Sequence, residues 1–172
     1  MVVFHPITEE FNKLQTYIEN LCVALDSFKE QKVWILPNND AGSTVIKENI
    51  LKYRNSNSIY FRNLSRVDYL GFLNSCKILV GNSSSGIIES PSFNKVSINI
   101  GNRQIERVQS KLTLNCNYST NEIKKSIIKE INKKFNILKK YPYGDGKTSK
   151  RILKILDNTN IGNNFLVKKI TY

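Results

Sequence analysis

The chain has 172 residues, 40% of them hydrophobic, enough to bury one substantial core and about the size of one ordinary domain. Its formal charge of +12 is lopsided, with 10 basic and 9 acidic side chains in residues 1–102 but 16 and 5 in residues 103–172. No window approaches the roughly 20 apolar residues of a membrane span, the opening "MVVFHPITEE" has none of the parts of a secretory signal, and Cys22, Cys76 and Cys116 have neither metal-site nor redox spacing, so a cytoplasmic protein with reduced thiols is expected.

Short β-branched or aromatic runs alternate with longer helical patterns. "VVF" (2–4) is a strand. It leads to an amphipathic helix from about Thr8 to Phe28, with Phe11, Leu14, Ile18, Leu21, Cys22 and Leu25 three and four apart and Thr8 as its cap. "KVWIL" (32–36) is the second strand, followed by a helix over Ser43–Tyr53, the strand "SIYF" (58–61) and a helix over Arg66–Ser75. "KILV" (77–80) is the fourth strand, a short helix opens at the serines of "GNSSSG", and "KVSINI" (95–100) is the fifth strand. An irregular stretch precedes two basic helices, about Thr120–Phe135 and Lys147–Leu156, separated by the turn chemistry of "PYGDG". The alternation predicts an α/β fold, a Rossmann-like parallel sheet flanked by helices, as one domain over residues 1–158 with a tail at 159–172.

Ligands of open parallel sheets bind beyond the carboxyl ends of the strands, which selects the residues just after each one. Ser83 and Ser84 follow the fourth strand, and there a serine either caps the helix or, with free N–H groups beside it, helps hold an anion. Glu89 is either a solvated carboxylate or a bidentate acceptor for a vicinal diol such as a ribose. His5 is the only histidine and sits in "FHPIT", where the following proline keeps it extended at the strand end. It is either structural or a donor to phosphate and a partner in proton transfer. Arg103 and Arg107 would share a face if "NRQIERVQ" were helical, and they either neutralise a diphosphate or pair with an acid such as Glu106. Asp40, in "PNNDAGS", either caps the next helix or bonds a sugar hydroxyl. No Walker lysine loop, GxGxxG or HExxH is present, so neither a metal nor a bound cofactor is expected.

Taken together and in order, "HPIT", "PNNDAGS", "GNSSSGIIES", "NIGNRQIER" and "YPYGDGKTSKRIL" resemble the C-terminal half of the hydrolysing UDP-N-acetylglucosamine 2-epimerase family, from His5 to about Leu156. The family's GT-B-like fold has two Rossmann-like domains facing each other across a cleft, so the resemblance implies that this chain corresponds to the nucleotide-gripping domain. It further implies that Ser83, Ser84 and Arg103 hold the UDP diphosphate, Glu89 the ribose, the backbone near Leu64 the uracil, and that His5 is the active-site histidine. Asp40, Ser85 and Arg107 are secondary candidates. The implied reaction eliminates UDP from UDP-GlcNAc and hydrates the glucal to N-acetylmannosamine, in sialic-acid-type amino sugar biosynthesis. The proton-transfer carboxylates belong to the family's N-terminal domain, so activity would require that domain or a companion chain. A homodimer is a further expectation, and neither nucleic acid nor membrane is expected as a partner. An inactive nucleotide-binding or interaction module, or half of a GT-B glycosyltransferase, is the alternative. Two stretches depart from the family pattern: "RQxGR" reads "RQIER", and "FGxPxxN" reads "FNKVSIN".

Overall fold

A computed structural model describes residues 1–133, 141–160 and 162, and the chain divides into two compact units, Met1–Pro142 and Tyr143–Tyr172. The first unit is built on a parallel sheet of six strands: β1 (Val2–Val3), β2 (Lys32–Ile35), β3 (Ser58–Phe61), β4 (Ile78–Gly81), β5 (Val96–Ile100) and β6 (Thr113–Cys116). Their order across the sheet is β3-β2-β1-β4-β5-β6. The winding therefore reverses between β1 and β4, and a crevice opens at that point of a doubly wound sheet.

Alternation along the strands divides the core between the two faces of the sheet. Val2, Trp34, Val80, Val96, Ile98 and Ile100 pack with Leu14, Ile18, Leu21 and Leu25 of α1 (Leu14–Asp26), Ile46 and Ile50 of α2 (Ser43–Lys52), and Ile123 and Ile127 of α5 (Thr120–Glu130). The intervening Val3, Ile35 and Leu79 form a second cluster with Leu73 of α3 (Arg66–Ser75), on which Tyr69, Leu64 and Phe72 also pack. On this second face β5 presents Ser97 and Asn99, both buried. The Ser97 hydroxyl donates to the Gly86 carbonyl at 2.6 Å, so the short α4 (Ser85–Ile88) rests on a polar strip of the sheet.

Three local expectations are corrected. Thr8 is not a cap: residues Thr8–Lys13 form a 3-10 helix whose N-cap is Ile7, and the path breaks at Glu10 (φ −114°, ψ 22°) before α1 begins. Tertiary contacts compete there with helix propensity, since Glu10 accepts from the Tyr118 hydroxyl at 2.8 Å and from Asn102 at 3.2 Å. The stretch read as irregular contains β6, an edge strand of four residues too short to display a period and recognisable only by its pairing of Leu114 with Ile98. Asp40 caps no helix: α2 starts from Gly42 in the left-handed region (φ 90°), and the Asp40 carboxylate instead accepts from Asn38 Nδ2 at 2.6 Å. The predicted helix end at Phe135 and most of the 159–172 tail lie outside the described residues.

The second unit contains α6 (Thr148–Asn158). Arg151 makes a two-pronged pair with Asp145 at 2.8 and 2.7 Å, and Ile152, Leu153, Ile155 and Leu156 are exposed. No helix among the described residues is long and apolar enough to cross a membrane.

Candidate functional site

The β1–β4 junction is held by Gly81 and Asn82. Gly81 has φ +138°, and a Cβ there would lie 1.9 Å from the Val3 carbonyl oxygen, so only glycine lets the two strand ends come this close. Asn82 follows with no exposed surface. Its side-chain oxygen accepts from the His5 N–H at 2.7 Å, and its amide donates to the His5 carbonyl at 2.8 Å. Its own carbonyl oxygen accepts from Arg103 Nη1 at 3.1 Å and Gln104 Nε2 at 3.0 Å. One carboxamide and one carbonyl thus tie "FHP", "GNSSSG" and "NRQ" into a single corner.

Beside this corner a cavity of about 890 Å³ runs along the carboxyl ends of β1 to β4. It is lined by His5, Leu64, Ser83, Ser84, Ser85 and Glu89 from the sequence-predicted set, and by Asn38, Asn39, Lys47, Arg62, Arg66 and Tyr69. Arg103, Arg107 and Asp40 do not line it. Arg103 and Arg107 lie in a run of turns, not on a helix face. They remain electrostatically close, since burial and then Arg107 lower the Arg103 pKa while Asp40 raises it. Glu106 is exposed and also lies outside the cavity lining.

The serines divide the work. Ser83 Oγ accepts from the Ser85 N–H at 3.3 Å, and Gly86 N–H donates to the Ser83 carbonyl at 3.1 Å, so Ser83 closes the turn into α4. With only four residues α4 carries little dipole, and attraction for an anion has to come from hydroxyls and nearby cations. The Ser85 hydroxyl, Tyr69 Oη and His5 Nδ1 are buried and make no well-formed hydrogen bond, although Tyr69 lies close to the Ser85 and Ser83 hydroxyls and His5 to the Asn38 side chain. All three residues line the one cavity.

Charge is distributed around the rim. Lys47, Arg62 and Arg66 supply positive charge, and the Arg66 guanidinium lies 3.5 Å from Glu89 with the two side chains 72% and 23% exposed. A pair that open is weak and easily exchanged for another partner. Burial lowers the His5 pKa, Arg103 lowers it further, and Asp40 and Asn38 offset part of this. The imidazole is therefore neutral at pH 7, where it offers one donor and one acceptor and no formal charge. The Leu64 N–H is taken by its neighbour Asn63 at 2.9 Å. Among the described residues no group of three His, Cys, Asp or Glu side chains is placed to hold a metal ion.

Sequence reasoning passed over Asn82, Gln104, Arg66, Tyr69 and Lys47. Arg66 and Tyr69 had a usable signal, being one turn apart at the start of the helix that follows β3. Asn82 and Gln104 had none, because nothing local distinguishes a buried amide that bridges segments from a solvated one.

Residues 1–157 match the family described as UDP-N-acetylglucosamine 2-epimerase. The chain is 32% identical over 163 residues to a UDP-N-acetylglucosamine 2-epimerase of Neisseria meningitidis serogroup B, covering 94% of this chain and 43% of that protein. It is 29% identical over 173 residues to a UDP-N,N'-diacetylbacillosamine 2-epimerase (hydrolyzing) of Legionella pneumophila, covering 100% and 46%. Among solved structures, S. aureus MnaA in a co-structure with UDP aligns with TM-score 0.71 at 17% identity, over 91% of this chain and 44% of that one. A Methanocaldococcus jannaschii UDP-GlcNAc 2-epimerase in complex with UDP-GlcNAc and UDP aligns with TM-score 0.70 at 15% identity, over 92% and 45%. The chain spans about half the length of the curated relatives it matches.

Proposed function

The chain belongs to the UDP-N-acetylglucosamine 2-epimerase family, and from that premise we propose that it is the nucleotide-gripping half of a hydrolysing epimerase. In this reading it holds the UDP portion of a UDP-amino sugar while the bond from sugar to diphosphate breaks. The observation that carries the proposal is the convergence of His5, Ser83, Ser84, Ser85, Glu89 and Leu64 on one cavity that Lys47, Arg62 and Arg66 also line.

Departure of UDP leaves negative charge on the diphosphate, and preorganised donors in a partly dry cleft stabilise that charge at little reorganisation cost. Ser83 and Ser84 donate to the phosphate oxygens, the rim cations supply the charge that neutral His5 does not, and Arg103 acts from behind Asn82. Glu89 exchanges its loose contact with Arg66 for the two ribose hydroxyls, and Leu64 lies along the base. Glu106, exposed and outside the cavity lining, does not enter this arrangement. Abstraction of the C2 proton of the sugar falls to carboxylates of a second domain, joined to this one or supplied as a companion chain. The overall conversion is UDP-GlcNAc to N-acetylmannosamine and UDP, in cytoplasmic synthesis of sialic-acid-type sugars, and the chain alone turns over nothing. A homodimer is part of the same proposal.

Calorimetric titration of UDP into the chain and into the Ser84→Ala, Glu89→Ala double variant tests the reading. Loss of one hydroxyl and one bidentate carboxylate contact is expected to weaken binding by about a hundredfold. Equal affinity of parent and variant, or turnover of UDP-GlcNAc by the chain alone, overturns it.

A further inference from the structure

Tyr69 stands in the first half of α3 with its ring packed on the second core cluster, beside Leu73, Leu79 and Val3. Tyr69, Ser83 and Ser85 all line the cavity; the Tyr69 hydroxyl is buried close to those of both serines, and neither it nor the Ser85 hydroxyl has an acceptor in well-formed hydrogen-bond geometry. Ser85 is only 6% exposed. Buried hydroxyls nearly always find a partner, because each one left unpaired costs the free energy of its desolvation. Two neighbouring hydroxyls without a well-aligned acceptor, on residues that line one large cavity, are donors that an incoming acceptor can engage.

We infer that Tyr69 is a ligand-binding residue whose hydroxyl, together with that of Ser85, donates to a phosphate oxygen of the bound nucleoside diphosphate. The inference rests on the UDP-binding reading above and adds to it a residue from a different helix. Both donors are neutral, and both are fixed in place. The Tyr69 ring is anchored in the core, so little side-chain freedom is lost on binding. Ser85 is set on α4, which the Ser97 hydroxyl holds to β5. A phosphate oxygen has several lone pairs and can accept from both hydroxyls at once, whereas a single ribose hydroxyl has less capacity.

Tyr69→Phe removes one oxygen and leaves the ring in place. Because that oxygen makes no well-formed hydrogen bond in the folded chain, the variant is expected to unfold at about the same temperature as the parent, while its affinity for UDP falls about tenfold. Ser85→Ala is expected to behave in the same way. Inorganic diphosphate, added as a competitor of UDP or titrated directly, is expected to lose affinity in parallel, which assigns the contact to phosphate. A lower unfolding temperature for Tyr69→Phe identifies the hydroxyl as structural and overturns the inference. So does unchanged affinity for both ligands, or a loss for UDP that inorganic diphosphate does not share. Failure of the parent chain to bind UDP overturns the UDP reading instead, and direct titration with inorganic diphosphate still decides the role of Tyr69.

Discussion

Asn82 pairs with both backbone polar groups of His5, and this fixes where the only histidine of the chain stands. The imidazole is set into a partly buried position beside Arg103, so its folded-state pKa lies below the ordinary value of 6.5, first through burial and then through that guanidinium. Between the two values the unfolded chain binds more protons than the folded one, so stability is full above about pH 6.5 and declines as pH falls through that value. The decline stops once pH is below the folded-state pKa, where both states are protonated. As the sole histidine, His5 gives an unambiguous NMR titration. Its midpoint is expected below 6.5 and is expected to rise in Arg103→Gln, and the unfolding temperature of His5→Gln is expected to depend less on pH between 7.5 and 5. A midpoint at or above 6.5 contradicts this account.

At the scale of elements, the turn from α4 into β5 absorbs a departure from the family pattern. "FGxPxxN" reads "FNKVSIN", and Asn94, in the place of the glycine, is the only non-glycine residue with positive φ among the described ones, at 53°. Asparagine tolerates the left-handed region better than other side chains, and β-branched ones tolerate it worst. Asn94→Gly is expected to leave the unfolding free energy within about 0.5 kcal/mol of the parent, and Asn94→Val to lower it by about 1–2 kcal/mol. Equal stability of the two variants in denaturant titration would show that the turn relaxes away from the left-handed region. The missing proline of the pattern is at Val96, which is buried and pairs with Ile78, so that strand start is secured by packing and sheet hydrogen bonds.

At the scale of the whole molecule, both hydrophobic clusters and the cavity lining are drawn from residues before 132. The described helix of the second unit, α6, buries no residue. The chain shortened to residues 1–142 is therefore expected to unfold cooperatively near the temperature of the full chain and to bind UDP with the same affinity. Loss of cooperative unfolding on shortening would mean that residues beyond Pro142 belong to the folding unit of the sheet. Eleven of the twelve net charges follow Asn102, whereas the cavity cations Lys47, Arg62 and Arg66 all precede it. The bulk charge is therefore a poor guide to the site.

What the sequence determined by itself was whatever local chemistry repeats or punctuates. Apolar periodicity marked five of six strands and the helices between them, and strand-to-helix alternation implied a parallel sheet with its ligand crevice at the carboxyl ends. That His5 and the serines line the cavity was legible because they follow strand ends, and Glu89 because it stands in a pattern resembling the family. Tertiary structure alone decided the rest. The edge strand β6 exists by pairing with β5, and Glu10 breaks its helix for partners 92 and 108 residues away. Arg103 donates to the Asn82 carbonyl and does not line the cavity, while Tyr69 and Arg66 line it from α3. Each of these depends on groups far apart in the chain that only a closed fold brings within hydrogen-bonding reach, and a pattern of neighbouring residues carries no record of them.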